Sequence, residues 1–225
     1  EVIANNEKDN VEVARRLGCK KAFDLSYRNH RLDSESPVEI RERLIFIFRL
    51  MKVDTVICYD PWGQYESNPD HYVTARCVDE ACAQSGSRLD YPEHMEAGIQ
   101  PHGVREKYYF SRGPQLVNRI VEITSVVDKK VDVNLANLTQ GPAGETGAHL
   151  RARLAREGKR LPILGDSDDA ANRAYIKNFV LADDVELGRR YGLQYAERFT
   201  HMRVGVWDAG QSPVDRYIRE NTVPR

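Results

Sequence analysis

Along the first 140 residues the apolar positions alternate between helical and strand spacing. Val11, Ala14 and Leu17 share one helical face that stops at Gly18, where a residue without Cβ takes a left-handed cap. Lys20–Leu25 predicts a short strand running into the polar loop Ser26–Asp33. Ser36-Pro37-Val38-Glu39 has the form of a capping box with proline at the first helical position, and Ile40, Leu44, Ile47 and Met51 continue from it at helical spacing. Val53–Tyr59 is β-branched and apolar apart from Asp54 and Thr55, the composition of a strand buried on both faces. A polar loop, Asp60–Ser67, leads to a helix with Val73, Cys77, Val78, Ala81 and Cys82 on one face, ended by Gly86. Lys107–Phe110 and Arg119–Thr124 predict two more strands, and Ser125 opens a helix with the stripe Val127, Val131, Leu135 and Leu138.

Strands separated by helices predict βαβ units, hence an α/β fold with a mostly parallel sheet flanked by helices. Residues 141–225 differ. Gly141, Gly144 and Gly147 open a loop, polar helical stretches follow, and no strand pattern returns until Arg203–Val206. Asp166-Ser167-Asp168-Asp169 reads as a helix start with Ser167 as N-cap, and His149 falls on the exposed face of a basic helix over 146–159.

At 225 residues, 41% hydrophobic, the chain predicts one domain, and 33 basic against 34 acidic side chains leave no global field for nucleic acid or an anionic bilayer. The uncharged run Leu44–Phe48 ends at Arg49, far short of the roughly 18 residues of a membrane span. Cys19, Cys58, Cys77 and Cys82 form no metal ladder and read as small buried hydrophobes in a reducing, cytoplasmic compartment. No glycine fingerprint follows any strand, which argues against a nucleotide site.

In parallel α/β sheets, sites form beyond the carboxyl ends of strands, where Asp60–His71 lies. Asn68 as N-cap, Pro69 as first helical residue and Asp70 at the positive end of the dipole have structural explanations. His71 does not: the dipole favours a neutral ring, which is the state that ligates a metal. On its own it reads either as a hydrogen-bonded structural histidine or as a ligand. His30 stands in a loop on the ligand side. His94 and His102 flank Gly98 in a long loop that either closes over a site or lies in solvent. Trp62, Tyr65 and Trp207 are aromatic residues suited to stacking on a sugar or to packing.

The strand, the Asp-Pro loop and Asn68-Pro69-Asp70-His71-Tyr72 resemble the second motif of the PIG-L/LmbE-like zinc-dependent de-N-acetylases, usually His-Pro-Asp-His. Glu7–Gly18 resembles that family's helix ending in Leu-Gly, and Arg119–Gln140 its later V-D-I-T…K…H-x-S-Q segment. The resemblance covers about residues 5–140 and weakens through Gly141–Gly144 to Phe199. It implies a Rossmann-like, LmbE-like sheet with a more helical C-terminal part, residues 141–225 being an extension of the same domain. It also implies Zn²⁺ held by two residues of a His-Pro-Asp-Asp motif plus His71, with an Asp of that motif as general base.

No His-Pro-Asp-Asp occurs in the sequence, which opens Glu1-Val2-Ile3 without Met, so the expectation is a chain lacking its N-terminal strand and first motif. Asn68 replaces the family's first His and can donate a hydrogen bond but not a proton. Asn137 stands where the family often has His, and Asn29-His30 where Asp-Gly often contacts sugar. The resulting expectation is a zinc-dependent hydrolase that removes an N-acetyl group from a small amino sugar or its conjugate, with no membrane or nucleic-acid partner. Asp70 and Asn68 are its catalytic candidates, Asn29, His30, Tyr65 and His102 its substrate contacts and His71 its metal ligand. The alternative is a non-catalytic binding module of the same fold.

Overall fold

A computed structural model describes residues 2–139, 144–203 and 212–223. The elements, in chain order, are α1 (Val2–Leu17), α2 (Pro37–Met51), β1 (Thr55–Tyr59), α3 (Pro69–Gln84), α4 (Pro92–Glu96), β2 (Glu106–Phe110), β3 (Arg119–Glu122), α5 (Val127–Asn134), α6 (Thr146–Arg156), α7 (Asp168–Tyr175), α8 (Ala182–Arg190), β4 (Ala196–Arg203) and α9 (Pro213–Asn221). The strand order is β1-β2-β4-β3. β1 and β2 run parallel, Ile57 opposite Tyr108, while β4 is antiparallel to β2, Tyr108 opposite His201. The α/β class holds, with the parallel pairing confined to β1–β2 among the described strands.

Contacts group the chain into two compact units, residues 27–119 with 199–225, and residues 1–26 with 120–198. In the first, α2 and α3 cover β1 and β2 around Ile45, Phe48, Val56, Cys58, Val78, Ala81, Cys82, Val104 and Tyr109. Ser36 caps α2 by accepting from the Glu39 N–H; the Glu39 carboxylate bonds Arg43. Arg49 lies on the same helical face as Ile45 and is fully buried, its guanidinium donating to the carbonyls of Ser85, Ser87, Asp90 and Tyr91 and to His94 Nδ1. In the second unit, Ile123, Val127, Val131, Ile176, Leu181 and Tyr195 form the core, and α1 closes at Gly18, φ 81°, with Cys19 N–H bonded to Ala14 O.

Several expected elements differ. Lys20–Leu25 forms no strand: its residues lie exposed apart from a half-buried Leu25, and the Asp24 side chain captures the Ser26 N–H, an Asx turn that competes with ladder pairing. β1 is buried on one face only. Its alternate residues Thr55 and Ile57 are exposed, Ile57 by 65%, because the helices pack against the Val56/Cys58 side. The helix expected from Ser125 begins with a 3-10 turn, Thr124–Val126, and ends at Asn134, leaving Leu138 exposed. The late strand falls earlier than Arg203–Val206: β4 is Ala196–Arg203, and Val204–Val206, Gly141 and Trp207 lie outside the described residues. Cys58, Cys77 and Cys82 are buried as expected but Cys19 is exposed. Burial pushes the thiols of Cys58 and Cys82 up to about 11 and about 12.

Candidate functional site

The parallel strands β1 and β2 end in Tyr59 and Phe110, whose rings pack at 4.5 Å. The chain then turns at Asp60, a buried carboxylate that accepts from the Trp62 N–H (2.8 Å), Thr200 Oγ1 (2.9 Å) and Gln115 Nε2 (3.3 Å). This closes the loop at the sheet edge. Gly113 lies against the same loop so closely that a Cβ would come within 2.4 Å of the Gln64 carbonyl, which sets Arg112 beside Glu66. Asn68 then starts α3: its Oδ1 accepts from the Asp70 N–H at 3.0 Å, the expected N-cap.

His71 sits in the first turn, its ring stacked on Tyr59 with centroids 4.1 Å apart and planes at 12°. Its Nε2 faces Asn68 Nδ2 at 3.3 Å, and its buried Nδ1 faces Glu66 Oε2 at 3.2 Å, off the line of a good hydrogen bond. Glu66 also accepts the Asn68 N–H (3.0 Å) and a two-pronged contact from Arg112, 2.6 Å and 3.1 Å. The bond to Arg112 is the main reason its carboxyl is held at about 2; burial opposes this, and Asn68 and His71 reinforce it. Burial likewise raises the Tyr59 hydroxyl.

The Asp70 carboxylate points back to the preceding loop and accepts the N–H groups of His30 (2.6 Å) and Leu32 (3.3 Å). Its oxygens hold the Asn29–Leu32 segment to α3, where His30 adopts φ 57°. Asn29 and His30 are exposed beside this anchor, and Tyr65, φ 62°, is 87% exposed in the 60–67 loop. Thus Asn29, His30, Asn68, Asp70 and His71 come together. His102 does not join them: its Nε2 lies 3.2 Å from Asp54, at the other end of β1. His94, expected to close over a site or lie in solvent, is buried between Phe46, Tyr91 and Arg49, which pulls its pKa down mainly through burial and secondarily through the Arg49 charge. Sequence reading missed Tyr59, Glu66 and Arg112. Glu66, two residues before a helix cap, was the legible signal for a carboxylate near His71; Arg112 carried none.

Among the described residues the group of three metal-capable side chains is Glu42, Glu93 and His94, which excludes His71. That trio has no free imidazole lone pair, because Nδ1 accepts from Arg49 and the ring proton then sits on Nε2. His71 alone, with Asn68 against its Nε2, is one ligand and does not make a zinc site.

Residues 1–82 match the sequence profile of the PIG-L family, described as GlcNAc-PI de-N-acetylase. The chain is 28% identical over 139 residues to a diacetylchitobiose deacetylase of Thermococcus kodakarensis, a match covering 60% of this chain and 48% of that protein. The solved N,N'-diacetylchitobiose deacetylase of Pyrococcus horikoshii, in complex with an inhibitor, superposes with a TM-score of 0.67 at 26% identity, over 90% of this chain and 65% of that one. A conserved protein of Thermus thermophilus shares the fold, with a TM-score of 0.60 at 19% identity over 90% of this chain and 75% of its own. The chain therefore spans about half the length of the curated relative it matches. The stretch matched by the family profile, residues 1–82, carries α1, α2, β1 and the Asn68–Tyr72 motif described above, so in this part the chain is similar to the PIG-L family.

Proposed function

We propose that the natural protein carrying this chain hydrolyses the N-acetyl group of a small amino sugar or its conjugate, releasing acetate and a free amine. The observation that carries the reading is the His71–Asn68 pair at the carboxyl edge of β1, in the family's motif position and next to the loop tied down by Asp70. The relatives' recorded activities as diacetylchitobiose deacetylases support the reaction class. Amide hydrolysis near neutral pH needs an activated water and a stabilised oxyanion. Asn68 has a second amide hydrogen to offer an oxyanion, and Asp70 acts as a positioning carboxylate. Tyr65, Asn29 and His30 present a ring face and polar groups to a sugar. The zinc that the resemblance implies would find one ligand here, His71.

The test is amine release from a panel of N-acetylglucosamine conjugates and acetylated peptides by the natural protein. Release confined to the sugars supports the reading, and release confined to acetyl-lysine peptides overturns the substrate class. The second reading, a binding module without turnover, draws on Asn68 facing His71 Nε2 and on His71 belonging to no group of three metal-capable side chains among the described residues. Saturable sugar binding with no amine released would establish that reading instead.

A further inference from the structure

We infer that Glu66, clamped by Arg112, is the positioning residue that fixes the tautomer of His71, with the proton on Nδ1 and the lone pair on Nε2. Asn68 determines which ring nitrogen is bare. Because its Oδ1 is committed to the Asp70 N–H as the cap of α3, its amide cannot turn over, and Nδ2 is the atom left facing His71 Nε2 at 3.3 Å. Nδ2 donates only, so Nε2 accepts and holds no proton. The proton is on Nδ1, which is buried and faces the Glu66 carboxylate at 3.2 Å. A lone pair there would meet a negative oxygen in a place water does not reach, whereas an N–H there is attracted by that oxygen's charge even though the two are not aligned for a hydrogen bond. Both sides of the ring therefore demand the same tautomer.

Glu66 has a reason to stay charged and in place. Its side chain is 10% exposed, against 61% for Arg112, and the guanidinium grips both carboxylate oxygens while the Asn68 N–H takes one of them. One carboxylate thus sets the entry of α3, through Asn68 N–H, and the ring that α3 presents. Tyr59 completes the hold by stacking on the ring face. The result is an imidazole whose basic nitrogen is aimed away from the carboxylate and toward Asn68 Nδ2, so that ring and cap residue hold one another in a single orientation.

This inference deepens the proposed function but is read by a measurement that needs no turnover. Nitrogen-15 spectra of the histidine-labelled natural protein, with His71 assigned by its loss in His71→Asn, give the protonated and bare nitrogens directly. The expected wild-type pattern is a protonated Nδ1 and a bare Nε2. In Glu66→Ala the pattern shifts toward the other tautomer or averages between the two, and in Arg112→Ala it shifts less. Glu66→Gln, whose amide oxygen can still accept, keeps more of the wild-type pattern than Glu66→Ala. If the proposed activity holds, kcat in Glu66→Ala drops about ten- to a hundredfold with KM little changed. A wild-type ring protonated on Nε2, or a Glu66→Ala spectrum unchanged at His71 while the other histidines confirm the fold, overturns the inference. A protein that shows the tautomer response but releases no amine from any substrate overturns the proposed function alone.

Discussion

Asn68 divides two duties between the two atoms of one amide, and substitutions separate them. Asn68→Ser keeps an acceptor for the Asp70 N–H, so stability should hold, whereas Asn68→Ala should cost about 1 kcal/mol in denaturant unfolding. Both lose Nδ2. If that group serves the oxyanion, kcat drops by about 10² or more in both variants, and equal turnover across the three proteins removes Asn68 from the chemistry. His30 supplies a second residue-scale test. It stands in the left-handed region, φ 57°, at the place where the resemblance expects glycine. His30→Gly should leave stability unchanged or raise it by up to about 1 kcal/mol, and His30→Val should lower it by about 1–2 kcal/mol, measured by urea unfolding. Glu66 adds a pH signature. Its carboxyl is lowered from an ordinary 4.5 to about 2, so the stability it contributes is present above about pH 4.5 and lost as pH falls toward about 2. Acid unfolding followed by circular dichroism should show a smaller loss across that window in Glu66→Gln than in the wild type. The sequence disclosed the cap and the histidine because each follows from helix-end chemistry. It did not disclose the Glu66–Arg112 clamp, 46 residues apart, because only the fold brings the two together.

At the scale of elements, the helices announced themselves and the strands did so unevenly. Ser36, Asn68 and Ser167 are N-caps where the local pattern placed them, each accepting a backbone N–H from the first turn. Helix ends are set by contacts a few residues apart, which a sequence carries openly. Strands are set by partners far along the chain: Lys20–Leu25, read as a short strand, finds no ladder, and β4, with its charged and apolar residues interleaved, pairs with a strand some ninety residues away. Arg49 shows the same limit in reverse. Read as the end of an apolar run, it is the polar anchor of α2, satisfying four carbonyls of the 85–91 segment. Arg49→Met should destabilise the protein by about 3–5 kcal/mol, because the carbonyls lose their donors without gaining water. Gly113 is the corresponding anchor for the loop over Glu66. Gly113→Ala puts a methyl group 2.4 Å from the Gln64 carbonyl, so it should cost about 1–3 kcal/mol and weaken the Arg112–Glu66 contact, visible as a partial shift of the His71 nitrogens.

Taken whole, the molecule has almost no net charge, 33 basic against 34 acidic residues, and many of its ionic groups pair locally, as in Arg41–Glu80, Arg112–Glu66 and Lys130 with Asp184 and Glu197. Among the described residues no helix is long and apolar enough to cross a membrane. The helix α9 exposes Val214, Tyr217 and Ile218, but its Asp215, Arg216, Arg219 and Glu220 cancel, so it lacks the basic face that would draw it to anionic lipid. A protein of this kind has no long-range field with which to steer an anion, and salt should change its encounter with a neutral ligand very little. The expected outcome is that kcat/KM on a neutral N-acetylated sugar varies by less than about twofold between low and physiological ionic strength. A phosphate-bearing conjugate behaves differently if Arg112 takes part in holding it, since its exposed guanidinium is clamped on Glu66, the carboxylate that faces His71, and its rate should then fall with salt. Comparing the two substrates over one salt series therefore tests the choice between them. A steep salt dependence confined to the phosphate conjugate, with higher kcat/KM at low salt, would shift the substrate class from neutral chitobiose-like sugars to anionic glycoconjugates. Flat profiles with the neutral sugar preferred keep the class proposed above.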